Sequence, residues 1–422
     1  MRNATKRAIS GIAVSLLTAS ALVGFSSSAQ AATEANTITF SAPKPGGGTA
    51  SPYKAIVDAF NAKYPTYKVV LTEVDTAVYP TNLQTQLRAG NAPDLFKVQP
   101  GAGQIDSLLP FIKAKLVADL SSTGAKKSNP AGMSSQLGAS GKPYAVAIDQ
   151  TAGGMIFNQT VMEKDGFEWP TDFNTMLEIC KGARAKGKTM FGLAGSMYAN
   201  NGLMIMGMAG ATVYASGDSW NEKRIANKVK FATSTEWKTT LNNVVKMKNA
   251  GCFQDGAAAG GFVDAIDNRF FTGKSYAVFV PGGTSVSFSN LPFLKQYTIK
   301  TAVFPGSKRL AVSNNYAIAV NAKTKKLAVA KKFIDFASTT AAQTAGQTAS
   351  GNLPISNIDT KTLKVQYSTV APYLKSGMTY AFPNQAWEAP EVYVKLGTGI
   401  QGLLTGQATV DQVLKSVDAA WK

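Results

Sequence analysis

The sequence predicts an α/β protein of two lobes, each a mostly parallel sheet flanked by helices, and three observations lead there. The chain has 422 residues, of which the first 31 read as a leader; the 391 that remain exceed one compact core and suit two. Strand-length apolar runs alternate with stretches of helical periodicity, the order that builds parallel sheets from βαβ units. Between Gly141 and Asp165, an apolar run from Tyr144 to Ile148 is broken by the polar triplet Asp149, Gln150 and Thr151. It resumes from Gly153 to Phe157. That pattern reads as a strand leaving one lobe, a crossing, and a strand entering the other. Ligands settle between domains and near strand carboxyl ends, so a hinge and a binding site would coincide there.

The leader carries Arg2, Lys6 and Arg7, an apolar run from Ile12 to Val23, and a small-residue exit at Ala29-Gln30-Ala31. This predicts export, and no later stretch approaches the ~20 apolar residues of a membrane-spanning helix. Losing the three bases lowers the net charge from +18 to +15. The lysines are scattered and not interleaved with aromatics, which disfavours nucleic acid; an anionic wall polymer or an anionic ligand stays open. The absence of histidine excludes serine-histidine and cysteine-histidine catalysis, most zinc sites and any imidazole switch. Cys180 and Cys252 both fall in the second lobe, where a disulfide and two buried thiols are alternatives.

Taken in order, Thr37 to Phe40 is a first strand leaving through the loop Ser41 to Ala50. Ser51 caps a helix that Pro52 opens, striped by Tyr53, Ile56, Val57 and Phe60. Gly47, Gly48 and Thr49, feeding that helix, either hold a hydroxyl-rich ligand on backbone N–H groups or form a plain flexible loop. Tyr67 to Val74 is a strand, Thr81 to Ala89 a helix closed by Gly90, and Asp94 to Val98 a strand that ends in a second loop at Gln99. Beyond the crossing, Thr171 starts a helix over Phe173 to Lys186. Thr189 to Leu193 is a strand with Tyr198 and Asn200 at its exit, and Met204, Met206 and Met208 read as core. Phe270 to Val280 returns toward the first lobe. Leu327, Ala330, Ile334 and Ala337 stripe a later helix, Tyr380 to Tyr393 reads as a loop, and Thr409 with Gln412 forms a capping box for the last helix.

Five segments in order resemble a known family: Gly141 to Asp149 with Gly154-Met-Ile-Phe-Asn158; Asn91 to Phe96; Phe270 to Val278; Ala328 to Ala337; and Gly406 to Trp421. Together they are similar to the extracellular sugar-binding proteins of ABC importers, the maltose-binding-protein-like family. The resemblance implies a periplasmic-binding-protein-like fold that closes on a mono- or oligosaccharide and delivers it to membrane permease subunits, as a monomer, without cofactor or metal and without catalysis. It places hinge crossings near Asp149, Pro281 and Tyr316, giving a first lobe of residues 32–149 plus 281–320 and a second of 150–280 plus 321–422. Leu22-Val-Gly-Phe25 lacks the cysteine of the family's lipoproteins, so no lipid anchor is expected.

Candidate ligand residues are Gly47, Gly48, Thr49, Gln99, Asp149, Gln150, Tyr198, Asn200, Gly282, Gly283, Thr284, Phe382, Trp387 and Glu388. Asp149 would accept ligand hydroxyls. Trp387, claimed by no helical stripe, either stacks on a sugar ring or covers the seam between lobes. A secreted carbohydrate-active hydrolase and a wall-polymer-binding protein are the alternatives.

Overall fold

The computed structural model describes residues 34–46, 49–130, 133–217, 219–314, 316–355 and 358–421; the leader, Gly47 and Gly48 lie outside them. The first lobe begins as the pattern predicts. Strand β1 (Thr37–Pro43) leads to helix α1 (Pro52–Lys63), whose Ser51 cap accepts the Lys54 N–H at 3.1 Å and whose buried stripe is Tyr53, Ile56, Val57 and Phe60. Strand β2 (Lys68–Val74), helix α2 (Tyr79–Ala89) and strand β3 (Leu95–Val98) follow, and Gly90 closes α2 in the left-handed conformation that glycine adopts without strain.

Strand β4 (Ala145–Ala147) leaves this lobe, β5 (Gln150–Ala152) crosses, and β6 (Ile156–Asn158) enters the second. There the chain builds α3 (Phe173–Ala185), β7 (Thr189–Gly192), α4 (Tyr198–Ala209), α5 (Thr235–Asn249), β8 (Ser275–Val278) and β9 (Ile299–Thr301). The cap of α3 is Asp172, not Thr171, because the Asp172 carboxylate accepts both the Asn174 and the Thr175 N–H. Strand β10 (Leu310–Asn314) crosses back and β11 (Ala317–Val320) enters the first sheet, followed by α6 (Leu327–Ala337) and α7 (Thr340–Ser350). The chain then crosses again and ends in β12 (Thr379–Tyr380), α8 (Pro390–Thr405) and α9 (Val410–Ala420), the last opened by the expected Thr409–Gln412 capping box.

The first sheet has the order β2-β1-β3-β11-β4 and the second β9-β6-β8-β7; β12-β10-β5 lie at the hinge. Both large sheets are mostly parallel, as expected: four of five strands in the first and three of four in the second run one way, and the exception in each comes from the crossings. A strand that arrives from the hinge must run away from it, so β11 is antiparallel to β3 and β4, and β6 is antiparallel to β8 and β9. The remaining strands point their carboxyl ends at the hinge side. Side chains alternate between layers: Ala145, Ala147, Ala317 and Ala319 face one core, and Val146, Ile148, Ile318 and Val320 face another.

The structure places two expected boundaries differently. Pro281 does not start a crossing, since the turn after it leads through a short helix to β9, which pairs with β6, and residues 281–309 stay with the second sheet. Residues 321–350 stay with the first, because α6 shares a core with β1 and β11 and α7 lies on α1. The second crossing is therefore β10, ahead of Tyr316. A third runs through Leu353, which exchanges backbone hydrogen bonds with Gln150 at 2.8 and 2.9 Å. Cys180 and Cys252 are joined as a buried disulfide between α3 and the turn after α5.

Candidate ligand-binding cleft

Carboxyl ends of β1, β3 and β4 meet those of β7, β8 and β9 across the three crossings, and the cleft lies between them. On the first-lobe side the floor is polar and internally matched. Lys97, in the middle of the short buried strand β3, places Nζ 2.7 Å from Asp106 Oδ2, with both side chains almost wholly out of solvent. Burial pulls the Lys97 ammonium pKa down while Asp106 pushes it back up. Tyr79 donates to the Lys97 carbonyl at 2.8 Å, and the Tyr53 hydroxyl is buried with no hydrogen-bond partner among the described residues.

Asp149 begins the first crossing. Its Oδ2 accepts from Asn352 Nδ2 at 2.8 Å and Ser350 Oγ at 3.1 Å, both from the third crossing, so the carboxylate ties two hinge segments together. Its Oδ1 is buried and unpartnered. Burial, only partly offset by those two donors, pushes the carboxyl up to about 7.

A cavity of about 50 Å³ opens between the lobes, and its lining is uncharged: Gln99 and Gln104 from the first lobe, Thr151 and Asn314 from the crossings, and Gln385 with Asn384 from the second. Phe382 and Tyr393 supply aromatic walls. Among the described residues, neither polar atom of the buried Asn314 side chain has a partner; Gln385 Nε2 donates to the Asn314 carbonyl at 2.7 Å while its own Oε1 is likewise unpartnered. Buried amides seldom stay unpaired, so these atoms are suited to a ligand that both donates and accepts.

The lobes also touch beside this cavity. Ala102 N–H donates to the Gln385 carbonyl at 3.2 Å. A β-carbon on Gly101 would come within 2.0 Å of that carbonyl oxygen, and one on Gly103 within 1.7 Å of the Asn384 oxygen. Glycine is what lets the two backbones meet. Tyr198, at the start of α4, faces Asp106 across the cleft, and burial first, then that carboxylate, raises its hydroxyl pKa.

The expected residues divide accordingly. Gln99 and Phe382 line the cavity, and Tyr198 packs edge-on against Tyr393, which also lines it. Thr49 is half-buried in a turn closed on the Gly46 carbonyl. Gln150 donates its side-chain amide to the Ile355 carbonyl, and Asn200 donates to Phe279 O at 2.7 Å while accepting the Ala194 N–H, so both are spent on the fold. Gly282 and Gly283 pack against Ala152 O and the Asn352 side chain, where a β-carbon would fall within 1.9 and 2.0 Å, and Thr284 begins the helix behind them. Glu388 is exposed.

Trp387 does not face the cleft. It is wholly buried against Phe231, Trp237 and Tyr393, with Nε1 donating to Asn221 Oδ1 at 3.2 Å. Long-range packing, invisible to local periodicity, claims it. Residues that sequence reasoning missed are Asn314, Gln385, Tyr393 and the Lys97–Asp106 pair. A lysine within the apolar strand Leu95–Val98 was a usable signal, because a buried ammonium requires a partner. Among the described residues no group of His, Cys, Asp and Glu could hold a metal ion, and no helix is long and apolar enough to cross a membrane.

Two mixed sheets joined by three crossings, with an uncharged polar cavity between them, define a hinged solute-binding protein. The chain belongs to the bacterial extracellular solute-binding protein family, which it matches over residues 46–344. It is 24% identical over 309 residues to a multiple sugar-binding protein of Streptococcus mutans, covering 68% of this chain and 67% of that protein. Among solved structures, one from work on xylan utilization by Caldanaerobius polysaccharolyticus is similar with a TM-score of 0.75 at 20% identity, over 91% of this chain and 99% of the other. A sugar transporter protein from Bacillus licheniformis in complex with stachyose has a TM-score of 0.70 at 17% identity, over 91% and 99%.

Proposed function

We propose that the protein closes its lobes on an uncharged carbohydrate outside the cytoplasm and presents it, as a monomer, to the permease of an ABC importer. The observation that carries this reading is the cavity lining: the amide atoms of Asn314 and Gln385 that no described residue claims, set beside Phe382 and Tyr393 and without a charged side chain. A sugar has the matching surface, an apolar ring face and a rim of hydroxyls. The sugar names carried by the Streptococcus mutans and Bacillus licheniformis proteins support it. Binding is favoured over hydrolysis because the two buried carboxylates by the cleft are held in structural bonds, Asp106 by Lys97 and Asp149 by Ser350 and Asn352.

An anionic ligand would enter this cavity without a counter-charge, since the nearby ammonium of Lys97 is already matched. The reading is tested at Asn314. Asn314→Ala removes hydrogen bonds to the ligand and should weaken binding of a neutral oligosaccharide by about 1–3 kcal/mol, roughly 5- to 150-fold, in titration calorimetry. Unchanged affinity would move the site elsewhere.

A further inference from the structure

Several exposed lysines lie at the end of the first lobe opposite the cleft. Strand β11 runs away from the cleft, so its end at Val320 marks the far pole. There Asn321 pairs with Val117, and the Ala322 N–H donates to Leu116 O at 3.0 Å, which sets Lys115 and Lys323 side by side. The segment after Leu120 runs along α6: Gly124 N–H donates to Asp335 Oδ1 at 2.8 Å and Lys331 Nζ to Ser122 Oγ at 2.9 Å. Lys126 and Lys127, in that segment, therefore lie on the α6 face of the sheet and not beside Lys115. At the pole itself, Lys113, Lys115, Lys323 and Lys325 are all exposed, and none has an ion-pair partner among the described residues.

Three acids near this pole are already engaged, while Glu34, beside Lys326, is exposed. Asp119 pairs with Lys142 at 2.9 Å, Asp335 accepts the Gly124 N–H, and Asp94 accepts the Thr39 N–H at 2.8 Å and its hydroxyl at 3.0 Å. We propose that this lysine surface at the far pole of the first lobe binds a linear, phosphate-bearing anionic polymer, independently of the cleft. Lysine ammoniums are compact point charges that serve phosphates without demanding one fixed geometry. A row of unmatched ones suits a chain with charge repeated along its length. Leu327 is the one large apolar side chain exposed beside them, too little for insertion into a bilayer, so a polymer fits this surface better than a lipid face. An exported protein held this way stays near the envelope without a lipid anchor.

The test uses inorganic polyphosphate as the probe and titration calorimetry as the readout. Wild type should bind, at least ~10-fold more weakly at ~200 mM than at ~50 mM salt. Replacing Lys113, Lys115, Lys323 and Lys325 by Gln should cost at least ~10-fold, whereas the same change at Lys228, Lys230, Lys246 and Lys415, exposed lysines of the second lobe, should cost less than ~2-fold, since both variants lose equal net charge. Unaltered carbohydrate affinity in the first variant would establish that its cleft is intact. Equal losses in both variants would reduce the effect to net charge and overturn the proposal. So would no polyphosphate binding at ~50 mM salt, or binding only to vesicles of phosphatidylglycerol and phosphatidylcholine.

Discussion

The cleft floor and the far pole of the same lobe handle charge in opposite ways. At the floor, Lys97 and Asp106 are buried and paired at 2.7 Å, and the cavity beside them is lined by neutral amides, hydroxyls and rings. At the pole, exposed lysines have no ion-pair partner among the described residues, and three nearby acids are tied to the fold. The difference teaches that the net charge of this chain describes its outer surface, not its ligand. It also predicts where mutation hurts: a buried matched pair is costly to break, whereas exposed lysines away from special features usually change stability by less than ~0.5 kcal/mol each.

The largest effect should come from Lys97→Ala, which leaves Asp106 buried without its ammonium. Stability should fall by about 3–5 kcal/mol in denaturant titration; a loss under ~1 kcal/mol would mean that water reaches the pair and that the floor is not dry. A comparable loss, about 3–5 kcal/mol, is expected for Trp387→Ala, because that ring is closed in by Phe231, Trp237 and Tyr393. Tight carbohydrate binding by the folded fraction of that variant would separate packing from recognition, and a loss of affinity without loss of stability would return Trp387 to the binding surface.

A smaller, pH-dependent effect is expected at the hinge. The Asp149 carboxyl is pushed up to about 7, above its ordinary value near 3.9, so the folded protein keeps a proton that the unfolded chain releases. Its contribution to stability is full below about pH 4 and is lost as pH rises through 7, by up to about 4 kcal/mol. Asn cannot ionise. Asp149→Asn should therefore gain on wild type in melting temperature between pH 4 and 8. A difference that stays flat with pH would show that the carboxyl is ionised and solvated in the folded state.

Local chemistry made much of the fold legible. Ser51-Pro52, Gly90 and Thr409–Gln412 mark helix ends through bonds made within a few residues, and Asp149 to Thr151 announces a crossing because a polar triplet has no place inside a buried strand. The paths beyond Pro281 and Lys326 were not legible, since a turn signal says that the chain reverses but not which sheet it rejoins. The same limit governs the site. Gln99 and Phe382, which line the cavity, could be named because they follow recognisable strands or sit among aromatics, whereas Asn314 and Gln385 gain meaning only from each other, 71 residues apart in sequence. Trp387 was misplaced for the converse reason: no neighbour in sequence buries it, but Phe231 and Trp237 do.

The account stands or falls on the neutrality of the cavity. Calorimetry of the wild-type protein with a neutral oligosaccharide and with the same sugar carrying a uronate in place of one hydroxymethyl group addresses it directly. The neutral sugar should bind and the uronate should bind at least ~30-fold more weakly, the equivalent of ~2 kcal/mol for burying a carboxylate without a partner. Equal or tighter binding of the uronate would mean that a cation reaches the ligand, and the matched Lys97–Asp106 floor would not be what selects it.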